Sequence, residues 1–148
     1  MLAWLLGSAA LAGVFVEGDP TGVVAPEVYV VVDKPQATLH DIWKTWEDGV
    51  VPQVVFEITS ASSRRRDLVE KRAIYDALGV AELWVFDPLG EYLDPRLQGF
   101  IRRDGRLSAA SPPLRSRALG LGLGFEGHLM TCLDASGQRP PRWDQLHL

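Results

Sequence analysis

Residues 52–88 constrain the fold of this chain more than any other stretch, because they read as strand, helix and strand in immediate succession. Residues 54–59 (VVFEIT) are apolar and largely β-branched, as a buried strand requires. Residues 64–78 have helical spacing and stop before Gly79, which suits a left-handed helix cap. Residues 81–86 (AELWVF) form a second apolar strand. The segment therefore predicts a βαβ unit with parallel strands and a right-handed crossover.

Two charged side chains in this unit depart from the pattern of a purely structural element. Glu57 is a carboxylate in the middle of the most apolar strand, and burying it is costly unless a cation or a hydrogen-bond donor meets it. Lys71 lies within the apolar stripe of the helix, since four apolar or aromatic neighbours fall within roughly 60° of it: Leu68, Ile74, Tyr75 and Leu78. A helix packed on the sheet can therefore direct the Lys71 ammonium toward Glu57.

A structural ion pair is the alternative interpretation of the same two residues. Glu57 can pair with an arginine, and Lys71 can reach water along its own stem or pair with Asp67 four residues earlier. The pattern thus predicts a direction for the Lys71 side chain and leaves open whether the site is catalytic or structural.

Composition indicates a single globular domain over residues 1–148. The chain is long enough for a sizeable core, with 47% hydrophobic residues. Its formal net charge of −4 excludes a molecule-wide surface for polyanions. The candidates for local nucleic-acid contacts are the arginine clusters at residues 64–66, 102–103 and 115–117. The single cysteine, Cys132, excludes an internal disulfide framework and a cysteine-based zinc cluster, and it favours the reducing cytoplasm.

The first 16 residues carry no charge. A signal peptide needs a positive amino-terminal region, and no Lys or Arg precedes Lys34. A membrane span needs about 20 residues, more than this run supplies. We therefore expect a buried helix remnant at residues 2–11, the first strand of the sheet at residues 13–17, and a domain that begins upstream of Met1. A membrane tether formed by residues 1–16 is the alternative.

Turn signals and apolar spacing divide the rest of the chain. Residues 23–32 are strongly β with an interruption at Pro26. Residues 38–49 combine a capping-box pattern with an i, i+3, i+4, i+7 apolar stripe, which predicts a helix. The Asp104-Gly105 pair predicts a tight hairpin, and Glu126-Gly127 predicts a second one. We expect the domain core at residues 13–133, followed by a loose tail at 134–148.

Five sequence blocks follow one another along the chain: residues 24–31 (VAPEVYVV), 46–49 (WEDG), 55–60 (VFEITS), 70–75 (EKRAIY) and 84–88 (WVFDP). In this order they resemble the Uma-two family of restriction endonucleases, which belongs to the PD-(D/E)XK nuclease superfamily. The resemblance covers roughly residues 13–133, and the order of the blocks is more specific than any single block. It implies an α/β restriction-endonuclease-like core, with a mixed β-sheet flanked by helices, to which the C-terminal β-hairpins are added.

The resemblance also implies a divalent-metal site built on two adjacent strands. Glu27 takes the role of the first metal ligand, and Glu57 with the backbone carbonyl of Ile58 supplies the second. Thr59 stands where the superfamily often has a lysine, and Lys71 is the substitute. These hard oxygen ligands suit Mg²⁺ or Mn²⁺. The accessory candidates are Thr59, Ser60 and Asp67, and the candidates for phosphate contact are Arg64, Arg65 and Arg66.

These roles predict a metal-dependent endonuclease that hydrolyses phosphodiester bonds of DNA. A homodimer is a further expectation, because cutting two strands suits two-fold symmetry. Two departures from the family pattern favour an alternative: Glu27 replaces the usual Asp, and no Asp or Glu precedes Glu17. The alternative is a catalytically inactive nuclease-fold module that binds nucleic acid or a protein partner.

Overall fold

A computed structural model describes the backbone of residues 4–8, 13–15, 23–24, 28–32 and 42–44, and it describes residues 53–59 and 65–138, with side chains from residue 68 onward in the last range. The one helix in these ranges is α1 (Arg65–Leu78). The strands are β1 (Trp4–Ser8), β2 (Gly13–Phe15), β3 (Val23–Val24), β4 (Val28–Val32), β5 (Ile42–Lys44), β6 (Val54–Ile58), β7 (Glu82–Phe86), β8 (Leu97–Arg103), β9 (Arg106–Ala109), β10 (Arg115–Ser116), β11 (Leu121–Glu126) and β12 (Leu129–Leu133).

The main sheet is mixed and has six strands in the order β1-β4-β6-β7-β8-β9. Its two central strands, β6 and β7, are parallel and in register from the Val54–Glu82 pair to the Ile58–Phe86 pair. Helix α1 connects them, and Gly79 ends it with a φ of 85°. The predicted βαβ unit with its left-handed glycine cap is therefore confirmed, while the handedness of its crossover stays a prediction.

The two faces of β6 and β7 are covered by different layers. On one face, Val55 and Val85 pack against Tyr75 of α1. On the opposite face, Phe56 and Trp84 pack with side chains of the three-stranded sheet β10-β11-β12. Because side chains alternate along a strand, Glu57 shares the face of Val55 and lies under α1. Within the described ranges, α1 is neither long nor apolar enough to cross a membrane.

The amino-terminal strands correct three sequence predictions. The helix predicted at residues 2–11 is wrong at Trp4–Ser8, which forms β1 antiparallel to β4. The helix predicted at residues 38–49 is wrong at Ile42–Lys44, which forms β5 parallel to β2. Strand β2, predicted in the main sheet, belongs to a second sheet in the order β3-β2-β5. Short apolar runs suit either state, and the pairing partners, distant in sequence, decide between them.

The predicted C-terminal β-hairpins are confirmed. Strands β8 and β9 are joined by Asp104 and Gly105, whose φ angles of 52° and 79° are those of a type I′ turn. Strands β11 and β12 pair antiparallel around Gly127, which has a φ of 59°. The second hairpin supplies Leu123, Met130 and Cys132 to the core on the face opposite α1.

Gly99 of β8 is required by the packing of Trp84, which is 1% exposed. A Cβ at this position would overlap the indole ring. We expect Gly99→Ala to lower the free energy of unfolding by about 1–3 kcal/mol, because the buried ring has no room to move. Urea denaturation would measure the loss. Gly122→Ala in β11 is the control, since its Cβ would meet only the Leu133 carbonyl at 3.7 Å. Equal losses in the two variants would contradict the prediction.

Candidate functional site

Glu57 is buried under α1 and accepts two hydrogen bonds from that helix. The residue is 2% exposed. Its Oε2 accepts from Lys71 Nζ at 3.2 Å, and its Oε1 accepts from the Tyr75 hydroxyl at 2.6 Å. Lys71 and Tyr75 are four residues apart, so their side chains leave the helix on the same side. The predicted convergence of Lys71 and Glu57 is therefore confirmed.

The environment of this pair is asymmetric. The Lys71 side chain is 31% exposed, whereas that of Glu57 is 2% exposed. The ammonium thus reaches solvent while it neutralises a carboxylate that the sheet and helix enclose. Bonds to both carboxylate oxygens fix the orientation of Glu57, as a metal ligand or a catalytic carboxylate requires. A structural ion pair has the same geometry.

Thr59 and Asp87 lie at the carboxyl ends of β6 and β7, next to Glu57. The Thr59 amide donates to the Phe86 carbonyl at 2.9 Å and so extends the parallel ladder by one residue. The Thr59 hydroxyl lies 3.4 Å from the same carbonyl. Asp87 is 1% exposed, and its Oδ2 accepts from the amides of Tyr92 and Leu93 at 2.6 and 2.8 Å. Asp87 therefore anchors the loop that follows β7.

This role of Asp87 was not predicted from the sequence, although the residue stands in one of the five blocks. A carboxylate directly after an apolar strand and before Pro88 was the available signal. Burial opposes ionisation of Asp87, but hydrogen bonds from the Tyr92, Leu93 and Leu89 amides and from the Thr59 hydroxyl outweigh it. The pKa of Asp87 consequently lies below its usual value of 3.8.

This lowered pKa predicts how stability depends on pH. Because the folded-state pKa lies below the unfolded one, the contribution of Asp87 is fully present above pH 3.8 and is lost as the pH falls through the folded value. We expect Asp87→Asn to lower the free energy of unfolding by about 1.5–3 kcal/mol at neutral pH. The difference from wild type should shrink below pH 3.8. Urea denaturation at a series of pH values would measure it, with Glu91→Gln, an exposed carboxylate of the same loop, as control. A difference that does not change with pH would contradict the prediction.

The remaining predicted site residues fall wholly or partly outside the described residues. The structure gives the backbone but not the side chains at the start of α1, and it does not describe the first metal-ligand candidate. Val28, which follows that candidate, pairs with Phe56, which precedes Glu57. The residues outside the described ranges are Glu27, Ser60 and Arg64, and those with undescribed side chains are Arg65, Arg66 and Asp67.

The part of the chain that the structure describes contains no group of three His, Cys, Asp or Glu side chains that could hold a metal ion. Ile58 is the last residue of β6, directly after Glu57. Glu57 and Lys71 are thus the members of the predicted site that are brought into contact, and the metal-ligand roles stay predictions.

Arg102 and Arg115, from the predicted basic clusters, have structural partners. Arg102 Nη1 donates to Asp76 Oδ1 at 3.0 Å, and its Nε donates to the Val80 carbonyl at 3.0 Å. Arg115 Nη2 donates to the Gly120 carbonyl at 3.2 Å. Arg102 therefore ties the end of α1 to β8, some distance from Glu57 along the sheet.

Comparison with known proteins identifies the family. Residues 4–127 match the family model Uma2, described as "Putative restriction endonuclease", which confirms the resemblance to the Uma-two family. The chain is also similar to the crystal structure of a putative nuclease belonging to DUF820 from Anabaena variabilis, with 14% sequence identity and a TM-score of 0.47. That similarity covers 74% of this chain and 56% of the other, so the chain spans little more than half of that protein's length. No curated protein matches the chain. Because the family model matches most of its residues, this chain belongs to the Uma2 family of putative restriction endonucleases.

Proposed function

We propose that this protein is a divalent-metal-dependent endonuclease that hydrolyses phosphodiester bonds of DNA. The contact between Lys71 and Glu57 carries the proposal, because the family resemblance assigns catalytic roles to these two residues and they meet at 3.2 Å. In this proposal the mixed sheet and α1 belong to a restriction-endonuclease-like core that further helices flank. Membership of the Uma2 family supports the same reading.

The donor set proposed for the metal is Glu57, the Ile58 carbonyl and Glu27. Hard cations such as Mg²⁺ and Mn²⁺ bind oxygen atoms, and Mg²⁺ is usually held by one or two carboxylates together with water and substrate phosphate. The Val28–Phe56 pair supports this set, since it places the strand that follows Glu27 against the strand that carries Glu57. When bound, the ion would lower the pKa of a coordinated water and neutralise charge on the scissile phosphate.

The other site residues orient the carboxylate and stabilise charge. Tyr75 holds one oxygen of Glu57, which fixes the direction in which the carboxylate faces. Lys71 Nζ supplies the positive charge that stabilises the phosphate as negative charge develops on it in the transition state. Thr59 brings no cation to the position where the superfamily often has a lysine, so this role falls to Lys71. The proposed phosphate contacts at the start of α1 come from Arg64, Arg65 and Arg66.

A catalytically inactive module that binds nucleic acid is the second candidate. It is favoured by the two hydrogen bonds that Glu57 accepts from α1, because they engage both oxygens of the carboxylate. Such a module would bind DNA with a strong dependence on salt and without turnover. In either case, a homodimer would present two copies of the surface to the two strands of a duplex.

Calorimetric titration with Mn²⁺ tests the proposed function. We expect wild type to bind the ion, and Glu57→Gln and Glu27→Gln each to weaken binding by more than the about 10–100-fold that loss of an outer-shell partner costs. Glutamine preserves the size of the side chain and an oxygen acceptor for Lys71 or Tyr75. Glu91→Gln, an exposed carboxylate after β7, is the control and should bind as wild type does. Absence of binding by wild type would favour the inactive module, as would unchanged binding in both site variants.

A further inference from the structure

A pocket of about 210 Å³ opens on the α1 face of the sheet, and its lining includes Val85, the strand partner of Glu57. It lies between the first half of α1, the strands β7 and β8, and the loop that joins them. Its walls are mainly apolar, and its polar groups are one guanidinium and one amide. The side chains that matter are Leu68, Val85, Leu93 and Phe100 on the walls, with Arg72 and Gln98 as the polar groups.

The strand register places this pocket next to the candidate site. Val85 pairs with Glu57 on one side and with Gln98 on the other. Neighbouring strands are about 4.8 Å apart, so the Cα atoms of Glu57 and Gln98 are separated by about 10 Å across β7. Lys71 and Arg72 are consecutive in α1, and they reach opposite sides of this row: Lys71 contacts Glu57, and the Arg72 guanidinium lies 4.1 Å from the centre of the Phe100 ring.

The chemistry of the pocket favours a flat ring that carries an anionic group. Apolar walls and an aromatic ring suit the faces of a planar ligand. Arg72 donates to the Leu107 carbonyl at 3.0 Å. The ion pairs within the described ranges join Lys71 to Glu57 and Arg102 to Asp76, so Arg72 takes part in neither. A guanidinium in this setting attracts a phosphate, which it can bind with two parallel hydrogen bonds.

The size and polarity of the pocket further restrict which ligands can bind in it. The volume of about 210 Å³ is below the about 300–1,000 Å³ typical of pockets for drug-sized ligands, so it accommodates one ring system rather than a stack of several. Gln98 Nε2 donates to the Pro95 carbonyl at 3.0 Å, which holds the amide near the pocket. An amide carries a second N–H and an oxygen acceptor, the pair of groups that recognises the edge of a nucleobase.

We propose that this pocket binds one unstacked base of the nucleic-acid substrate, with the phosphate of that nucleotide at Arg72. The inference rests on the proposed function, since it names a subsite for the substrate cleaved at Glu57. The base packs between the edge of the Phe100 ring, whose face Arg72 covers, and the aliphatic side chains of Leu68 and Leu93. Gln98 contacts the edge of the base. A nucleotide that spans β7 in this way carries its neighbouring phosphodiester toward Lys71. Enzymes that act on nucleic acids hold extruded bases by this combination of stacking and edge contacts.

The experiment is a titration with single deoxynucleoside monophosphates in the absence of metal, followed by NMR. We expect at least one of dAMP, dGMP, dCMP and dTMP to bind, and deoxyribose 5-phosphate, which lacks the base, to bind roughly 5–150-fold more weakly. Phe100→Leu should abolish this advantage of the base. Gln98→Leu, which keeps the apolar walls, should change the order of preference among the four bases. Phe125→Leu, a half-exposed aromatic residue of β11, is the matched control and should bind as wild type does.

Three results would overturn the inference. They are equal binding of deoxyribose 5-phosphate and all four nucleotides, no binding of any nucleotide, and unchanged binding in both Phe100→Leu and Gln98→Leu. The titration is independent of catalysis, so the two proposals can fail separately. Nucleotide binding without DNA cleavage in the presence of any metal would overturn the proposed endonuclease function and support the base-binding pocket. DNA cleavage without nucleotide binding would support the endonuclease function and overturn the base-binding pocket.

Discussion

Lys71→Met is expected to reduce metal-dependent DNA cleavage by about 10²–10³-fold, the usual effect of removing one donor that stabilises transition-state charge. Methionine keeps the length and apolar character of the stem and removes the ammonium that lies 3.2 Å from Glu57. Mn²⁺ affinity should fall by no more than the about 10–100-fold that loss of an outer-shell partner costs, because Lys71 contacts a proposed ligand rather than the ion. Single-turnover cleavage of a labelled duplex, with calorimetry on the same preparations, separates the two effects.

Loss of stability is the competing explanation, and the chain offers a matched control for it. Lys71→Met should lower the free energy of unfolding by less than the about 3–5 kcal/mol for breaking a fully buried ion pair, since the Lys71 side chain is 31% exposed. Arg102→Met breaks the ion pair between Arg102 of β8 and Asp76, which lies on the same helix as Lys71 but away from Glu57. The Arg102 side chain is 23% exposed. This variant should cleave DNA at the wild-type rate. Equal losses of cleavage in both variants would assign Lys71 a structural role.

The central unit could be predicted from sequence because its signals are local. The spacing along residues 64–78 determines which side chains share a helix face, and alternation along β6 determines the face of Glu57. Two strands joined by one helix leave little choice of topology. The sequence pattern alone therefore predicted that the Lys71 side chain points toward Glu57. The resemblance to the family added roles to residues whose positions were already constrained.

The amino-terminal strands could not be predicted in the same way, because strand pairing is non-local. Ile42–Lys44 carries an apolar stripe compatible with a helix, yet it pairs with Gly13–Phe15 as a strand. The hydrogen-bond partners of the buried carboxylates Asp87 and Glu82 could not be predicted from the sequence either. Apart from the Trp84 indole, their donors are backbone amides and two hydroxyls, those of Thr59 and Ser116. No spacing in the sequence indicates which acceptor such donors will find.

Glu82 is the case with the largest expected effect on stability. It is 1% exposed on the face opposite α1, where its side chain accepts four hydrogen bonds. Two of the donors are backbone amides of the turn after β10, which lies 35 and 36 residues further along the chain. The carboxylate thus links the three-stranded sheet β10-β11-β12 to β7. The donors are Trp84 Nε1 at 3.0 Å, Ser116 Oγ at 2.5 Å, Arg117 N at 2.7 Å and Ala118 N at 2.9 Å.

We expect Glu82→Ala to lower the free energy of unfolding by about 3–5 kcal/mol, because each buried donor left without an acceptor costs about 1–3 kcal/mol. That loss is a large part of the about 5–15 kcal/mol that stabilises a domain. Ser116→Ala removes a single donor and should cost about 0.5–1.5 kcal/mol. Urea denaturation gives both values, and hydrogen exchange should show early loss of protection at the amides of Arg117 and Ala118. Glu91→Ala, at an exposed position, should change stability by about 0.5 kcal/mol or less. If Glu82→Ala changed the free energy of unfolding as little as Glu91→Ala, the sheet β10-β11-β12 would be held by its apolar contacts with Trp84 and Phe56 rather than by this carboxylate.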